Sequence, residues 1–239
     1  MVWYNIIIGL CARIFLMLIF FSLLCRTSLI RKALTTLKER RRSRILLIGM
    51  FSAMALVDIW VGTQMPAYFL NNHLVMTVAA GLIGGPVVGL GTSLLSSAIA
   101  YAFMPVAFAT YHYPLMVAFG LASGCLAAWL QRQNFIFSNA FMVGFIFTAI
   151  YLCINIAFGT INLLDGYVME DALFPMVFSY SLGIAAFLDT LEDFYNQQDK
   201  IEGISAKTAM QITNSSMSLV QSGLNAPTAT ETVNLILKE

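Results

Sequence analysis

The chain has 239 residues, of which 59% are hydrophobic and 10% charged, and its mean hydropathy is +0.80. This composition lies outside the range of ordinary soluble domains and indicates a membrane protein. The formal net charge of +1 gives no indication of nucleic-acid binding, so we expect no nucleic-acid partner.

Apolar segments long enough to cross a bilayer follow one another along the chain. Residues 59–131 contain no Lys, Arg, Asp or Glu, and neither do residues 133–164. Runs of this length predict membrane-spanning helices. The first segment, residues 2–24, is too long for the apolar core of a signal peptide, and no cleavage site follows it, so we interpret it as a retained span. The other predicted full spans are residues 45–64, 114–130, 140–158 and 173–188.

The apolar segment at residues 74–104 is interrupted by Gly84, Gly85 and Pro86. Glycine and proline weaken a helix by about 1 and about 3 kcal/mol relative to alanine, so the interruption predicts two helices that meet at a turn. The first helix would be too short for a bilayer core of about 30 Å, whereas residues 87–104 are long enough. A re-entrant hairpin and a tilted helical pair both fit this pattern. The predicted hairpin residues are Gly81, Gly84, Gly85, Pro86 and Gly89.

Positive charge is concentrated in one loop. Eight of the thirteen Lys and Arg residues lie between Arg26 and Arg44, and cytoplasmic loops carry such an excess. The loop is therefore predicted to be cytoplasmic, with the amino terminus outside. Five full spans and a hairpin that returns to its starting side then place the carboxyl terminus in the cytoplasm. The basic residues could bind anionic membrane lipid or only fix the topology.

The residues after the last span differ in character, because residues 189–239 hold ten of the 25 formal charges. An imperfect apolar stripe recurs there at near-helical spacing and consists of Ile201, Ile204, Thr208, Ile212 and Leu219. We predict a helix that continues from the last span and ends near Gly223, with another helix after Pro227.

The predicted fold is all-α, a polytopic transmembrane helical bundle with a broken, glycine-rich helical hairpin and a cytoplasmic C-terminal helix. It divides into a transmembrane domain, residues 1–190, and a cytoplasmic helix and linker, residues 191–239.

Three motifs in the same order resemble the LytS-type family of five-transmembrane receptor regions of sensor histidine kinases. The block GLIGGPVVGL at residues 81–90 follows Asn71, and FPMVFSYSLG holds Pro175 and Gly183. The tail QITNSSMSLVQSGLNAPTATETVNLI is similar to the family's linker. The resemblance implies a sensory domain in a bacterial plasma membrane, a signalling helix, a homodimer and a cytoplasmic kinase or GAF-like domain, fused or separate.

The sequence departs from the family at polar positions. Where the family has the arginine of an Asn-x-Arg step this chain has His73, and the arginine expected later in the hairpin falls near Ala100. Phe119 stands where the family often has glutamate. One branch of the family is associated with pyruvate sensing, and an anion needs those cations. We therefore do not expect carboxylate binding here.

The candidate ligand-binding residues are Asn71, His73, Ser96 and His112. Both histidines fall near the predicted outer ends of apolar segments, where an imidazole titrates between pH 5 and 8 and could line a pocket for a small-molecule ligand. A polar and aromatic interfacial belt without a ligand is the alternative, and Ser96 could serve close helix packing instead.

Arg13 and Asp58 are the charges predicted at membrane depth. A direct pair between them and separate burial against other polar groups both remain open.

No pattern in the sequence indicates catalysis. The four cysteines form no CxxC pair and are expected to be reduced packing residues, and no nucleophile with a base, metal-ligand spacing or Walker loop is found. We expect no enzymatic activity in this chain, no metal and no cofactor. The leading hypothesis is the signal-input module of a LytS-type two-component sensor histidine kinase. The alternative is a substrate-binding membrane subunit of a vitamin-type importer, and a structural membrane protein without a ligand is a third possibility.

Overall fold

The computed structural model describes residues 2–36, 41–61, 63–64, 69–70, 72–103, 109–130, 137–157 and 173–221, together with residues 231 and 234. These residues form seven helices and two short strands. The helices are α1 (Val2–Arg26), α2 (Ser28–Thr35), α3 (Arg41–Val61), α4 (His73–Phe103), α5 (Ala109–Leu130), α6 (Phe137–Ala157) and α7 (Phe174–Gln221). The antiparallel strands are β1 (Thr63–Gln64) and β2 (Phe69–Leu70), which pair between α3 and α4. The prediction of an all-α fold is confirmed.

Within the described ranges, five helices are long and apolar enough to cross a membrane, namely α1, α3, α4, α6 and α7. Helix α5, also predicted as a span, is not among these five, although its 22 residues measure about 33 Å. It begins five residues before the predicted start, so its first turns include polar and aromatic residues around His112. The protein is a multi-pass membrane protein.

Helix α4 lies at the centre of the bundle and α1 at its edge. Of the apolar window in α4, 61% of the residues are buried, against 22% of the window in α1. Every residue from Asn72 to Leu82 is buried, and a helix that is apolar and enclosed on all sides is typical of the core of a helical membrane protein. Large apolar side chains of α1, such as Phe15 and Leu16, are exposed, as expected for a helix that contacts lipid.

Aromatic contacts connect the outer helices. The ring of Phe21 in α1 lies 5.6 Å from that of Phe51 in α3 and 5.4 Å from that of Phe187 in α7, measured between centroids. Phe141 of α6 packs edge-on against Phe178 of α7. These contacts join α1 to α3 and α7, and α6 to α7.

The basic loop between the first two spans contains a helix that the sequence analysis missed. Helix α2 begins after Thr27, whose side chain accepts a hydrogen bond from the Ile30 amide. It buries Ile30 and Leu34 and exposes Arg31. The N-cap residue Thr27 and the apolar residues Ile30 and Leu34 are visible in the sequence. The high positive charge of the segment led to its interpretation as a loop.

The chain divides into two units, Met1–Glu192 and Asp193–Glu239. In the second unit the structure describes helix through Gln221 and the isolated positions 231 and 234. The predicted end of this helix near Gly223 and the start of the second predicted helix after Pro227 lie outside the described residues.

Candidate functional site

Helix α4 contains the predicted break. Gly85 has φ 78° and ψ −174°, outside the helical region, and Pro86 follows it. Nε2 of His73 lies 2.8 Å from Oγ of Ser96, 23 positions later, whereas a straight helix would separate these residues by about 35 Å. The chain therefore folds back at Gly85. Residues 73–84 form a first arm and residues 86–103 a second, antiparallel arm.

The first arm is too short to cross a bilayer, because its twelve positions measure about 18 Å. Its last residues before the turn, Ile83 and Gly84, are half-buried, and non-helical backbone at membrane depth needs such cover from protein. Of the two alternatives left open by the sequence, these features favour the re-entrant hairpin.

Glycines let the hairpin approach α5 at backbone distance. A Cβ placed on Gly124 of α5 would lie 2.5 Å from the Pro86 nitrogen and 2.6 Å from the Gly85 carbonyl carbon. A Cβ on Gly81, in the first arm, would lie 2.8 Å from the carbonyl oxygen of Gly120. Gly120 and Gly124 are four positions apart in α5, and small residues with this spacing allow transmembrane helices to pack closely.

Two other predicted hairpin glycines, Gly84 and Gly89, are also in close contacts. A Cβ on Gly89 would overlap the carbonyl oxygen of Gly120, and one on Gly84 would overlap Val88 across the turn. Gly85 itself has open space around its Cβ position, so its positive φ is what favours glycine there.

The start of the first arm is held by a carboxylate from α3. Asp58 is fully buried; one of its oxygens accepts a hydrogen bond from the backbone amide of Asn72, and the other accepts one from the Asn72 Nδ2 at 3.0 Å. The Asn72 carbonyl accepts from the Met76 amide at 3.1 Å, which places Asn72 at the N-cap. A negative charge is favourable at this end of a helix.

His73 joins the two arms of the hairpin inside the protein. It is fully buried, and its partner Ser96 is also fully buried. The Ser96 hydroxyl also lies 2.7 Å from the Thr92 carbonyl oxygen, which accepts from it. If the serine proton points to that carbonyl, the Ser96 oxygen accepts from a protonated Nε2 of His73.

A second imidazole stands beside the first. The rings of His73 and His112 lie 5.7 Å apart between centroids, and Nδ1 of His112 lies 3.1 Å from the hydroxyl of Tyr151 in α6. Nε2 of His112 is buried and has no hydrogen-bond partner among the described residues. The Asn155 Nδ2 donates to the Tyr151 carbonyl at 2.7 Å. Together these side chains form a polar site where the two arms, α5 and α6 meet.

Three of the four predicted ligand-binding residues therefore lie together, namely His73, Ser96 and His112, while Asn71 lies outside the described residues. Asp58 lies next to this group through Asn72. Arg13 donates from Nε to the Gly9 carbonyl of its own helix at 3.2 Å, and the hydrogen bonds that hold Asp58 come from Asn72. A direct pair between Arg13 and Asp58 stays a prediction.

The sequence analysis missed Tyr151 as a site residue and Asn72 as the partner of Asp58. Tyr151 is one of nine tyrosines in the chain, and nothing in its own segment distinguishes it from a packing residue. Asn72 precedes an apolar helix as an N-cap residue should, so a local signal existed for its position but not for its partner.

Apolar contacts occupy two positions where the resemblance placed charges. Ala100 is buried in a cluster with Ile59 and Tyr113, and the ring of Phe119 packs against those of Phe147 and Tyr151 at 5.7 and 6.2 Å. The site is consequently built from imidazole, hydroxyl and amide groups. Within the described part of the chain no group of three or more His, Cys, Asp or Glu could hold a metal ion.

The first arm also touches the last membrane helix. A Cβ placed on Gly183 of α7 would lie 3.1 Å from Cγ1 of Val75 and 3.0 Å from Cδ1 of Ile14. Val75 follows His73 by two residues, so the arm that carries the polar site packs directly on α7.

The chain is similar to membrane regions of known sensor proteins. A family profile described as "5TMR of 5TMR-LYT" matches residues 27–194. The "Sensor protein LytS" of Staphylococcus saprophyticus is 25% identical over 225 residues, which cover 86% of this chain and 38% of that protein. The "Sensor histidine kinase/phosphatase LytS" of Staphylococcus aureus is 24% identical over 170 residues, which cover 70% of this chain and 29% of that protein. The chain thus spans well under half the length of these relatives, and no solved structure matches it.

The profile match extends from the start of the basic loop through the hairpin and α5 to the membrane part of α7, which is more than half of the chain. The break at Gly85, the glycine contacts with α5 and the contact at Gly183 all lie inside it. The chain belongs to the family described as 5TMR of 5TMR-LYT.

Proposed function

We propose that this chain is the membrane signal-input module of a LytS-type sensor histidine kinase. The observation that carries the proposal is the first arm of the hairpin. It is buried from His73 to Leu82, it carries His73 at its start, and it contacts α7 at Gly183. A change at the polar site would therefore reach α7 without an intermediate element.

In this proposal the signal acts on the hydrogen bonds between the arms. A small polar ligand that bonds the imidazole of His73, or the Nε2 of His112 that has no partner among the described residues, would compete with Ser96 or place a new group beside the two imidazoles. Either event displaces the first arm relative to the second. Gly183 has no side chain that could move aside, so a displacement of Val75 acts directly on the backbone of α7.

The proposed orientation follows from charge. The basic residues from Arg26 to Arg44 favour a cytoplasmic position for α2. If α1, α3, α5, α6 and α7 each cross the membrane and α4 returns to its starting side, the amino terminus lies outside and the end of α7 lies in the cytoplasm. There α7 would act on a kinase or GAF-like domain, fused or separate.

We propose that the protein is a homodimer through the part of α7 that follows residue 193. Ile201, Ile204 and Ile212 are 53%, 66% and 52% exposed, and their spacing places them on one face of the helix with Thr208. A second copy of the same face would bury them. The polar Thr208 within the stripe weakens such a pairing, which suits a contact that must rearrange on signalling.

The relatives described above are named as a sensor protein and as a sensor histidine kinase/phosphatase, which favours this function over the importer hypothesis. The ligand part is tested by a thermal-stability screen of polar metabolites with the purified protein in detergent. A ligand at 100 times its dissociation constant should stabilise the protein by about 2.7 kcal/mol. The stabilisation should be lost in His73→Ala and kept in Cys153→Ala, a control at an exposed position of α6. Equal stabilisation of both variants would contradict the site, and the absence of any stabilising compound would contradict small-molecule sensing.

The dimer is tested by cysteine cross-linking in membranes, in a variant without the four native cysteines. Ile212→Cys should form an inter-chain disulfide, whereas Asn214→Cys, on the opposite side of the same exposed helix, should not. A ligand found in the screen should change the rate at Ile212→Cys. Equal cross-linking at the two positions would contradict a dimer through the stripe.

A further inference from the structure

A groove opens on the bundle surface between the second arm of α4 and the start of α5. Its volume is about 430 Å³, within the range of small-molecule sites. It opens to the surface of the bundle, where Leu94 and Ala98 are exposed. The lining residues used below are Leu94, Ser97, Ala98, Tyr101, Tyr113 and Val117.

Ser97 is the unusual member of this lining. It is 4% exposed, and its hydroxyl has no hydrogen-bond partner among the described residues. Its neighbours Ser93 and Ser96 donate to carbonyl groups of their own helix at 2.9 and 2.7 Å, which is the usual arrangement for serine in a membrane helix. A hydroxyl without a partner costs free energy in an apolar setting, so Ser97 indicates an acceptor that the described part of the protein does not supply.

The depth of the groove matches one part of the bilayer. Ser97 lies six residues before the end of α4 at Phe103, which is about 9 Å along the helix. Tyr101 is 60% exposed one turn nearer the end, and its ring packs edge-on against that of Tyr113 at 6.2 Å. Tyrosines mark the membrane interface. The acceptor for Ser97 would thus lie just below the headgroups, where glycerolipids carry their ester carbonyls.

We propose that the groove binds one membrane glycerolipid, whose ester carbonyl accepts a hydrogen bond from Ser97 and whose acyl chain lies along Leu94, Ala98 and Val117. The groove shares its wall with the polar site, because Ser96 adjoins Ser97 and the rings of His112 and Tyr113 lie 5.3 Å apart. The lipid site does not depend on the proposed signalling function.

The test compares two lipids that differ only at the proposed acceptor. The purified, delipidated full chain is titrated with diester and with diether phosphatidylglycerol of equal chain length, and bound lipid is counted by native mass spectrometry. The wild-type protein should bind the diester about fivefold more tightly, as expected for one hydrogen bond. Ser97→Ala should bind both lipids equally, with the affinity that the wild-type protein has for the diether.

A pair of tryptophan variants tests the place of the acyl chain. Ala98→Trp fills the groove and should remove this bound lipid. Leu95→Trp, at an exposed position of the same helix outside the groove, should keep it. The proposal is overturned if Ser97→Ala retains the preference for the diester, or if the two tryptophan variants bind lipid alike.

Discussion

Replacing Asp58 by alanine should loosen the start of the first arm. The substitution removes both oxygens that accept hydrogen bonds from Asn72, and it leaves a buried backbone amide at a helix N-terminus without a partner. Hydrogen bonds to charged groups contribute about 1.5–3 kcal/mol each. Relief of the desolvation of the carboxylate offsets part of this loss, so we expect Asp58→Ala to reduce the free energy of unfolding by about 3 kcal/mol.

Asp58→Asn should cost less, about 1–2 kcal/mol. The new amide keeps one oxygen for the Asn72 backbone N–H. Its NH₂ group can donate to the Oδ1 of Asn72, which has no partner among the described residues in the wild-type protein, once the Asn72 amide has rotated. The order of stability is therefore predicted to be Asp, then Asn, then Ala.

The assay is reversible unfolding by SDS in mixed micelles, followed by intrinsic fluorescence. Asn72→Ala and the double variant complete a double-mutant cycle. The sum of the two single losses of stability should exceed the loss in the double variant. Both single substitutions remove the hydrogen bond between the Asp58 carboxylate and the Asn72 Nδ2. A change below about 0.5 kcal/mol for Asp58→Ala, typical of a surface substitution, or a less stable Asp58→Asn, would refute the role given to the carboxylate.

Three further substitutions probe the hairpin and the polar site in the same unfolding assay. Gly124→Ala should cost about 1–3 kcal/mol by overpacking against the turn, whereas Gly49→Ala, where a Cβ meets nothing within 4 Å, should be neutral or stabilising. A similar effect of both would contradict the close contact. Gly85→Ala should cost about 1–2 kcal/mol although space is open, because its φ is positive; an unchanged midpoint would speak against the turn. Tyr151→Phe should cost about 1 kcal/mol through the lost bond to His112, and no loss would place that hydroxyl outside the network.

The spans could be predicted from composition because a bilayer requires long apolar segments. The break at Gly85 could be predicted because Gly and Pro destabilise a helix wherever they stand in its interior. The close antiparallel contact of the two arms also has a local cause, because Gly89 lies against the backbone of Gly81 and has no side chain in between. Each of these features is determined by residues close together in the chain.

The hydrogen bonds of the site could not be predicted in the same way. Asp58 and Asn72 are separated by a connection that includes β1 and β2, and the path of that connection decides whether they meet. The contact of His112 with Tyr151 depends on the rotation of α5 relative to α6, which their nearly uniform apolar surfaces do not specify. The sequence places these residues near one end of the bundle, and tertiary packing decides their partners.

The fold-back of the first arm onto the second is the feature on which the site, its contact with α7 and the proposed function depend. It is tested most directly by solid-state NMR in lipid bilayers, with ¹⁵N in histidine and ¹³C in serine. The protein has only two histidines, and dipolar coupling between the His73 side chain and Ser96 should be strong and should disappear in Ser96→Ala. Equal spectra for the wild-type protein and this variant would contradict the hairpin, because a straight helix separates the two residues by about 35 Å.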